Sequence, residues 1–425
     1  MGPILLFVSF FLFLLLSVPV AISIGLSSAF MVFMDGTPPT VIIQRLFTTI
    51  DSFTLLAVPF FILAGGLMEK GGISKRIVDF SYSLVSSMTG GLGMVSVLAC
   101  MFFASISGSG VATVAAIGTI MIPAMVAKGY DKGFASSTVA ASGELGVVIP
   151  PSIPLILFGV ATGVSIKDLF FAGIIPGVMI GFTFMILVYV VSKINNYSGE
   201  RSYSWKEKLV SFKDAILALL MPFIILGGIY SGYFTPTESA VVACVYALII
   251  GLFVYKELKW KELPKVFYEA ALTSSVILVI IAMAGLFGWI LTSDGVPQAV
   301  ATWFSGISNN PIIFLLIINL LLFIVGMFFD SGAAILILAP ILVPVAISYG
   351  IDPVHFGIVM IVNLAMGMIT PPFGVNLFMV SQVANIRMEQ LLKYSALFIG
   401  VMIANILILS YIPSISMWLP ELFSK

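Results

Sequence analysis

Charge is scarce in this sequence. Of 425 residues only 9% are Asp, Glu, Lys or Arg, and the formal net charge is zero. A soluble domain uses about a quarter charged residues to dress its surface, and a nucleic-acid partner calls for a basic face. Neither fits. Two cysteines and one histidine narrow the field further. Cys100 and Cys244 lie inside apolar runs and read as small packing residues, not as a disulfide or metal pair. His355 has no second histidine with which to share a metal, and no His-Glu-x-x-His pattern exists. A Walker-type Gly-Lys-Ser/Thr loop is missing, which argues against direct ATP use by this chain. No serine sits in a nucleophile elbow beside a base. The chain therefore reads as neither an enzyme nor the holder of an organic cofactor.

What the sequence does have is apolar length. Hydrophobic residues make up 60% of it, and the mean hydropathy is +1.18. Runs such as Leu169 to Val191, Pro236 to Val254 and Ile312 to Phe329 approach or reach the roughly 20 residues that take a helix across a bilayer. Barrel strands would alternate in short segments with a polar lumen face, and these runs do not. The expected class is an all-α polytopic membrane protein. Met1 to Val20 lacks a basic start and continues into apolar sequence after Pro19, so it reads as the first membrane helix rather than a signal. At 1.5 Å per residue, Ile4 to Met34 is about 46 Å long, either one tilted helix or two short ones split near Pro19.

Two stretches repeat, Met121 to Gly159 and Leu342 to Ser381. At a spacing of about 221 residues Pro123 meets Pro344, Gly129 meets Gly350, and Asp131 meets Asp352. Gly146 then meets Gly367, and Pro150-Pro151 meets Pro371-Pro372. The halves are residues 1–192 and 215–425, joined by the polar connection 193–214. That connection is rich in Lys and Arg, so it is cytoplasmic by the positive-inside rule. The loops at Lys70 to Arg76 and Lys128 to Lys132 are basic too, whereas their counterparts, Thr292 to Gln298 and Tyr349 to Pro353, carry no Lys or Arg. Equal loops on opposite sides mean inverted repeats. Each repeat is expected to hold a surface helix (Ile77 to Met88; Pro297 to Ser308) and a bent helical hairpin (91–127; 310–348). A broken membrane helix follows in each (133–165; 355–385).

Chemistry is expected where helices break at membrane depth, because unpaired backbone there must line a protein cavity or a site. Proline has no amide hydrogen, so Pro150 and Pro151 free the carbonyls of Gly146 and Val147. Pro371 and Pro372 do the same for Gly367 and Met368. A hard monovalent cation wants such oxygens; two ordinary proline kinks are the simpler alternative. Ser152 and Asn376 follow the breaks and are expected to face the central cavity. The hairpin tips are Ala104-Ser105-Ile106-Ser107-Gly108-Ser109-Gly110 and Phe329-Asp330-Ser331-Gly332-Ala333. Their helix N-termini suit a carboxylate ligand, and Ser109 and Asp330 are either ligand contacts, plain N-caps, or both. Glu238 reads as a capping box with Thr235. Glu144 has Ala365 as its counterpart, and its role stays open.

The Ser-Ile-Ser-Gly-Ser-Gly tip, the GVVIPPSIP and GMITPPFGVN breaks and the SGYFTPTESA segment together resemble the large membrane subunit of the tripartite ATP-independent periplasmic (TRAP) transporters. The likeness runs from about Phe47 to the C-terminus and leans toward the sialic-acid branch. It implies a secondary transporter of the bacterial inner membrane, sodium-coupled, with an elevator-type moving domain of roughly Gly91 to Phe171 and Asn310 to Asn385. It also implies a separate small four-helix subunit (DctQ-like), a periplasmic substrate-binding protein (DctP-like) and an organic acid as substrate. By resemblance, sodium sites fall on Ser105, Ser107, Gly146 and Pro151, with Pro150 beside them, and on Gly326, Gly367 and Thr370. Substrate contacts fall near Ser109, Ser165 and Asp330. A stand-alone sodium/dicarboxylate symporter with similar repeats is an alternative, and a passive channel or membrane scaffold is one of another class.

Overall fold

The computed structural model describes residues 2–423, so the outermost ends of the two repeats, residue 1 and residues 424–425, lie outside it. The chain is helical throughout. Its first half comprises α1 Gly2–Leu15, α2 Val20–Met34, α3 Thr40–Ile50, α4 Ala57–Lys70, α5 Ile73–Val85, α6 Gly91–Ser107 and α7 Gly110–Ala127, then α8 Lys132–Gly143, α9 Leu145–Val148, α10 Ile153–Thr162 and α11 Ile166–Ile194. The second half follows as α12 Trp205–Tyr230, α13 Pro236–Ile249, α14 Leu263–Ser293, α15 Val296–Ile307, α16 Pro311–Phe328 and α17 Ser331–Ser348, then α18 Pro353–Gly367, α19 Val375–Ala384, α20 Met388–Tyr411 and α21 Ser414–Phe423. Ten helical segments among the described residues are long and apolar enough to cross a membrane. Their lipid-facing stripes are visible as exposed apolar residues four apart: Val178, Phe182, Ile186 and Val190 on α11, and Ile312, Leu316, Leu320 and Ile324 on α16. Spacing by four keeps these side chains on one face of a 3.6-residue helix. The N-terminal stretch is two short helices, α1 and α2, parted at residues 16–19.

Local sequence explains the breaks. Gly108 ends α6 at φ +63°, a left-handed conformation that a side chain resists, and Ser109 turns extended to cap α7. In the second repeat Phe329 and Asp330 are both extended between α16 and α17. Pro150-Pro151 and Pro371-Pro372, each joined by a cis peptide bond, interrupt α8–α10 and α18–α19. The capping box expected at Glu238 is present, with the Thr235 amide and hydroxyl both donating to its carboxylate. Cys100 and Cys244 are buried and unpaired, and the Cys244 thiol donates to the Phe60 carbonyl. His355 is buried against the Ser416 hydroxyl at 2.8 Å, and no group of three metal-ligating residues occurs among the described residues.

Two hydrogen-bond sets show how the hairpins enter. Both feet of α6–α7 are fastened to the connection between the repeats: the Gly90 amide donates to the Tyr197 carbonyl, the Asp131 amide to the Tyr197 hydroxyl, and Lys128 pairs with Glu200 at 2.9 Å. Arg76, in the first turn of α5, pairs with Glu257 in the segment between α13 and α14. The feet of α16–α17 are joined elsewhere, by the Tyr349 hydroxyl donating to the Ser308 carbonyl. The two ends of each hairpin are thus held together, at separate places in the chain. Between them the repeats interlock. α10 of the first half packs on α17 of the second, and α19 of the second packs on α7 and α8 of the first. Around this unit stands a frame in which α4 lies along α13, while α14 packs on α2, α3 and α4.

Candidate functional site: a cavity between two hairpin tips

The tips of the two hairpins share one cavity of about 110 Å³. Gly108, Ser109 and Gly110 line it from the first repeat, and Asp330, Ser331 and Gly332 from the second. Val147 and Met368, one from each helix break, complete the wall, with Ile277 and Ile280 of α14 opposite. Both cap residues do two things. Ser109 accepts from the Ala112 amide at 3.4 Å, and Asp330 from the Gly332 amide at 2.9 Å, while both also face the cavity. Two helix N-termini thus point at one space, each contributing a positive dipole end.

Oxygen atoms gather behind the first tip. The Ser107 and Thr113 hydroxyls are 2.9 Å apart, and Thr113 donates to the Ser109 carbonyl at 2.8 Å. The helix break lies directly against them. A Cβ on Gly146 would stand 2.5 Å from the Ser109 oxygen and 2.8 Å from Thr113 Oγ1, and one on Gly108 would stand 2.8 Å from the Pro151 oxygen. The Ile153 amide ties the two together by donating to the Gly108 carbonyl. Ser105 is half-buried with its hydroxyl spent on the Phe102 carbonyl at 2.7 Å. Thr113 is a member of this cluster that sequence reasoning missed; its signal is the position one helical turn beyond Ser109. In the second repeat Gly326 meets Gly367 backbone to backbone, and a Cβ on Gly367 would overlap Gly326. Thr370 is buried beside them, its hydroxyl donating to the Met366 carbonyl.

Three of the four proline-freed carbonyls, those of Val147, Gly367 and Met368, are not bare, contrary to the sequence reading. Ser152 donates to the Val147 oxygen at 2.5 Å, the Asn376 amide to that of Met368, and the Thr370 amide to that of Gly367. An unpaired buried carbonyl costs enough that the nearest donor folds onto it. Each keeps its second lone pair for a further partner. This use also redirects two side chains. Ser152 and Asn376 do not line the tip cavity; both are fully buried, and the Asn376 amide group reaches the Ala140 carbonyl at 3.1 Å. Ser165 is likewise elsewhere. It caps α11 by accepting from the Asp168 amide and lines a separate cleft with Ser52 and Pro236. Glu144 is 1% exposed, and neither carboxylate oxygen has a hydrogen-bond partner among the described residues.

A second space adjoins the first. A cleft of about 420 Å³ shares Ser109, Val111, Ile153 and Ile277 with the tip cavity and extends past Ser107 to Glu69, Lys70 and Glu269. Lys70 belongs to one of the basic loops, so the tip cavity communicates with the face that the charge pattern marks as cytoplasmic.

Comparison with known proteins agrees with this architecture. The family described as "Tripartite ATP-independent periplasmic transporter, DctM component" matches residues 7–415. The chain is 46% identical over 415 residues to the isethionate TRAP transporter permease protein DctMQ of Oleidesulfovibrio alaskensis, covering 97% of this chain and 65% of that longer protein. It is 42% identical to the C4-dicarboxylate large permease DctM of Pseudomonas aeruginosa, with 94% of both chains covered, and 40% identical to the sialic acid large permease SiaM of Vibrio cholerae, with 95% of both covered. Among solved structures it resembles the YdaH transporter of Alcanivorax borkumensis at a TM-score of 0.63 and 14% identity, over 90% of this chain and 88% of that one. The MtrF structure of Neisseria gonorrhoeae follows at 0.60 and 16%, over 86% and 83%. At such identities these two speak for the fold alone. The chain belongs to the DctM family of TRAP transporter large permeases: it is a multi-pass transport protein of the bacterial inner membrane and not an enzyme.

Proposed function

We propose that this chain carries an organic acid inward, driven by sodium, after a periplasmic binding protein delivers it, with a small DctQ-like subunit completing the membrane part. One observation carries the reading. Two helix N-termini from oppositely entering hairpins meet at one cavity, each backed by a broken helix and a glycine contact. The N-termini suit the acid group. Behind the first tip, the Ser107 and Thr113 hydroxyls and the Ser109 carbonyl form a donor set for a hard monovalent cation, together with the backbone of Gly146 and Pro151. In the second repeat Gly326, Gly367 and Thr370 fill the equivalent place. Sodium held there orders the tips and completes the acid site, which suppresses movement of a half-loaded carrier. The moving domain is the interlocked unit α6–α10 with α16–α19, riding against the frame. Relatives named for isethionate, C4-dicarboxylates and sialic acid are 46%, 42% and 40% identical. These values are too even to favour the sialic-acid branch, so the substrate class is put at organic acids broadly.

The test is uptake into proteoliposomes holding the chain and its small subunit, with the binding protein outside and a sodium gradient imposed. Uptake against the acid's own gradient, dependent on both sodium and binding protein, is expected. Ser107→Ala and Asp330→Ala should each lower it about tenfold or more. Uptake that persists without the binding protein would favour a stand-alone symporter, and purely downhill flux a channel.

A further inference from the structure

The proposed substrates are acids, yet the tip cavity contains no Lys or Arg and does contain Asp330. Beyond the helix N-termini and sodium at the tips, a fixed cation on the way in would make an anion's entry favourable. The frame offers one candidate. Arg45 of α3 lies with its guanidinium carbon 5.0 Å above the ring of Trp289 on α14. No carboxylate pairs with it among the described residues, and its own carbonyl, not its guanidinium, receives the Thr48 and Thr49 hydroxyls. The cleft it faces is large, about 510 Å³, and lies between the frame and the moving unit. Thr48, Thr49, Ser52 and Thr292 give it hydroxyls, and Leu336 and Pro340 of α17 form the far wall. No Asp or Glu lines it; Asp51 and Asp294, next to it in sequence, do not. Thr292 opens the loop that carries no Lys or Arg, so this cleft belongs to the outer face.

The three spaces are ranged along α14. The inner cleft meets its residues 266–277, the tip cavity Ile277 and Ile280, and the outer cleft 281–292. Leu336 lines both the tip cavity and the outer cleft, so one side chain stands between Arg45's cleft and the tips. The inner cleft differs in charge character. Its Lys70 is matched by Glu69 at 3.5 Å, and its Glu269 by Lys265 at 3.8 Å. An anion is therefore attracted at the outer mouth and meets only paired charges at the inner one.

From this placement we infer that Arg45 and its threonine-lined cleft form a receiving site for the acid group, carboxylate or sulfonate, before the tips take it up. The planar guanidinium suits either group bidentately, and stacking on Trp289 leaves its N–H edges free to bind. The inference rests on the transport reading for its place in the cycle but not for the binding itself. An arginine that merely anchors the frame at the membrane boundary would stack on tryptophan in the same way and bind nothing.

Trp289 reports directly on its neighbour. The other four tryptophans, Trp205, Trp260, Trp303 and Trp418, are all exposed and are replaced by Phe, leaving Trp289 as the emitter in full-length protein in nanodiscs. Succinate, isethionate and sialic acid are titrated at fixed ionic strength, with mannitol and chloride as controls. At least one acid is expected to change Trp289 emission saturably. Arg45→Gln should raise its half-saturating concentration about tenfold, and Arg45→Lys should recover part of that loss. No saturable change beyond that of chloride, or the same curve in Arg45→Gln, overturns the inference. Wild-type protein that shows the Trp289 response but concentrates none of the three acids in proteoliposomes would instead count against the transport reading, with the receiving site standing.

Discussion

Asp330 is asked to do two jobs, and they can be separated. As an N-cap it accepts from the Gly332 amide; as a cavity residue it presents charge to whatever enters. Asparagine caps a helix about as well as aspartate, while alanine forfeits about 1 kcal/mol. Asp330→Asn should therefore keep wild-type thermal stability and still lose most sodium-driven uptake, whereas Asp330→Ala loses both. Equal uptake in Asp330→Asn and wild type would reduce the residue to a cap. At this scale the sequence was informative about residue type and poor about direction. Serines and glycines of the tips were identifiable from composition and from the need for tight turns. Ser152 and Asn376 were not, because a proline break announces a freed carbonyl without saying which neighbouring donor will turn inward to meet it. Thr113 escaped notice because a hydroxyl one turn inside a helix usually bonds back to its own backbone, as this one also does.

Helices and hairpins were more legible. Proline, glycine and the charge of the flanking loops suffice to place α6–α7 and α16–α17, since each marks a point where a helix cannot continue or a loop cannot enter lipid. The length of residues 4–34 fits one tilted helix or two short ones; the structure separates α1 from α2. What no single-sequence pattern reveals is close approach between elements. Gly326 on α16 and Gly367 at the end of α18 touch through their backbones, and any side chain at 367 must push the two helices apart. Gly367→Ala is expected to cost about 1–3 kcal/mol as an overpacked contact, read as a fall in the melting temperature of the purified protein. A melting temperature equal to wild type would mean that the second hairpin does not need this contact.

For the whole molecule, the proposed function requires the two repeats to make one site, in which both tips bind the same acid in the same cavity. The internal repeat made the symmetry readable, but not that α10 would pack on α17 and α19 on α7, which is what brings Ser109 and Asp330 to a common space. Val111 lines both that space and the cleft leading to the cytoplasmic face, without capping either helix. The native cysteines are buried and should stay silent. The most direct measurement is the rate at which a membrane-impermeant thiol reagent modifies Val111→Cys from the cytoplasmic side, with and without sodium and the transported acid. The account predicts fast labelling that sodium plus acid slows about tenfold, and loss of that protection when Asp330 of the opposite tip is also changed to Asn. Protection that survives in the double variant, or labelling indifferent to sodium and acid, would contradict the shared site.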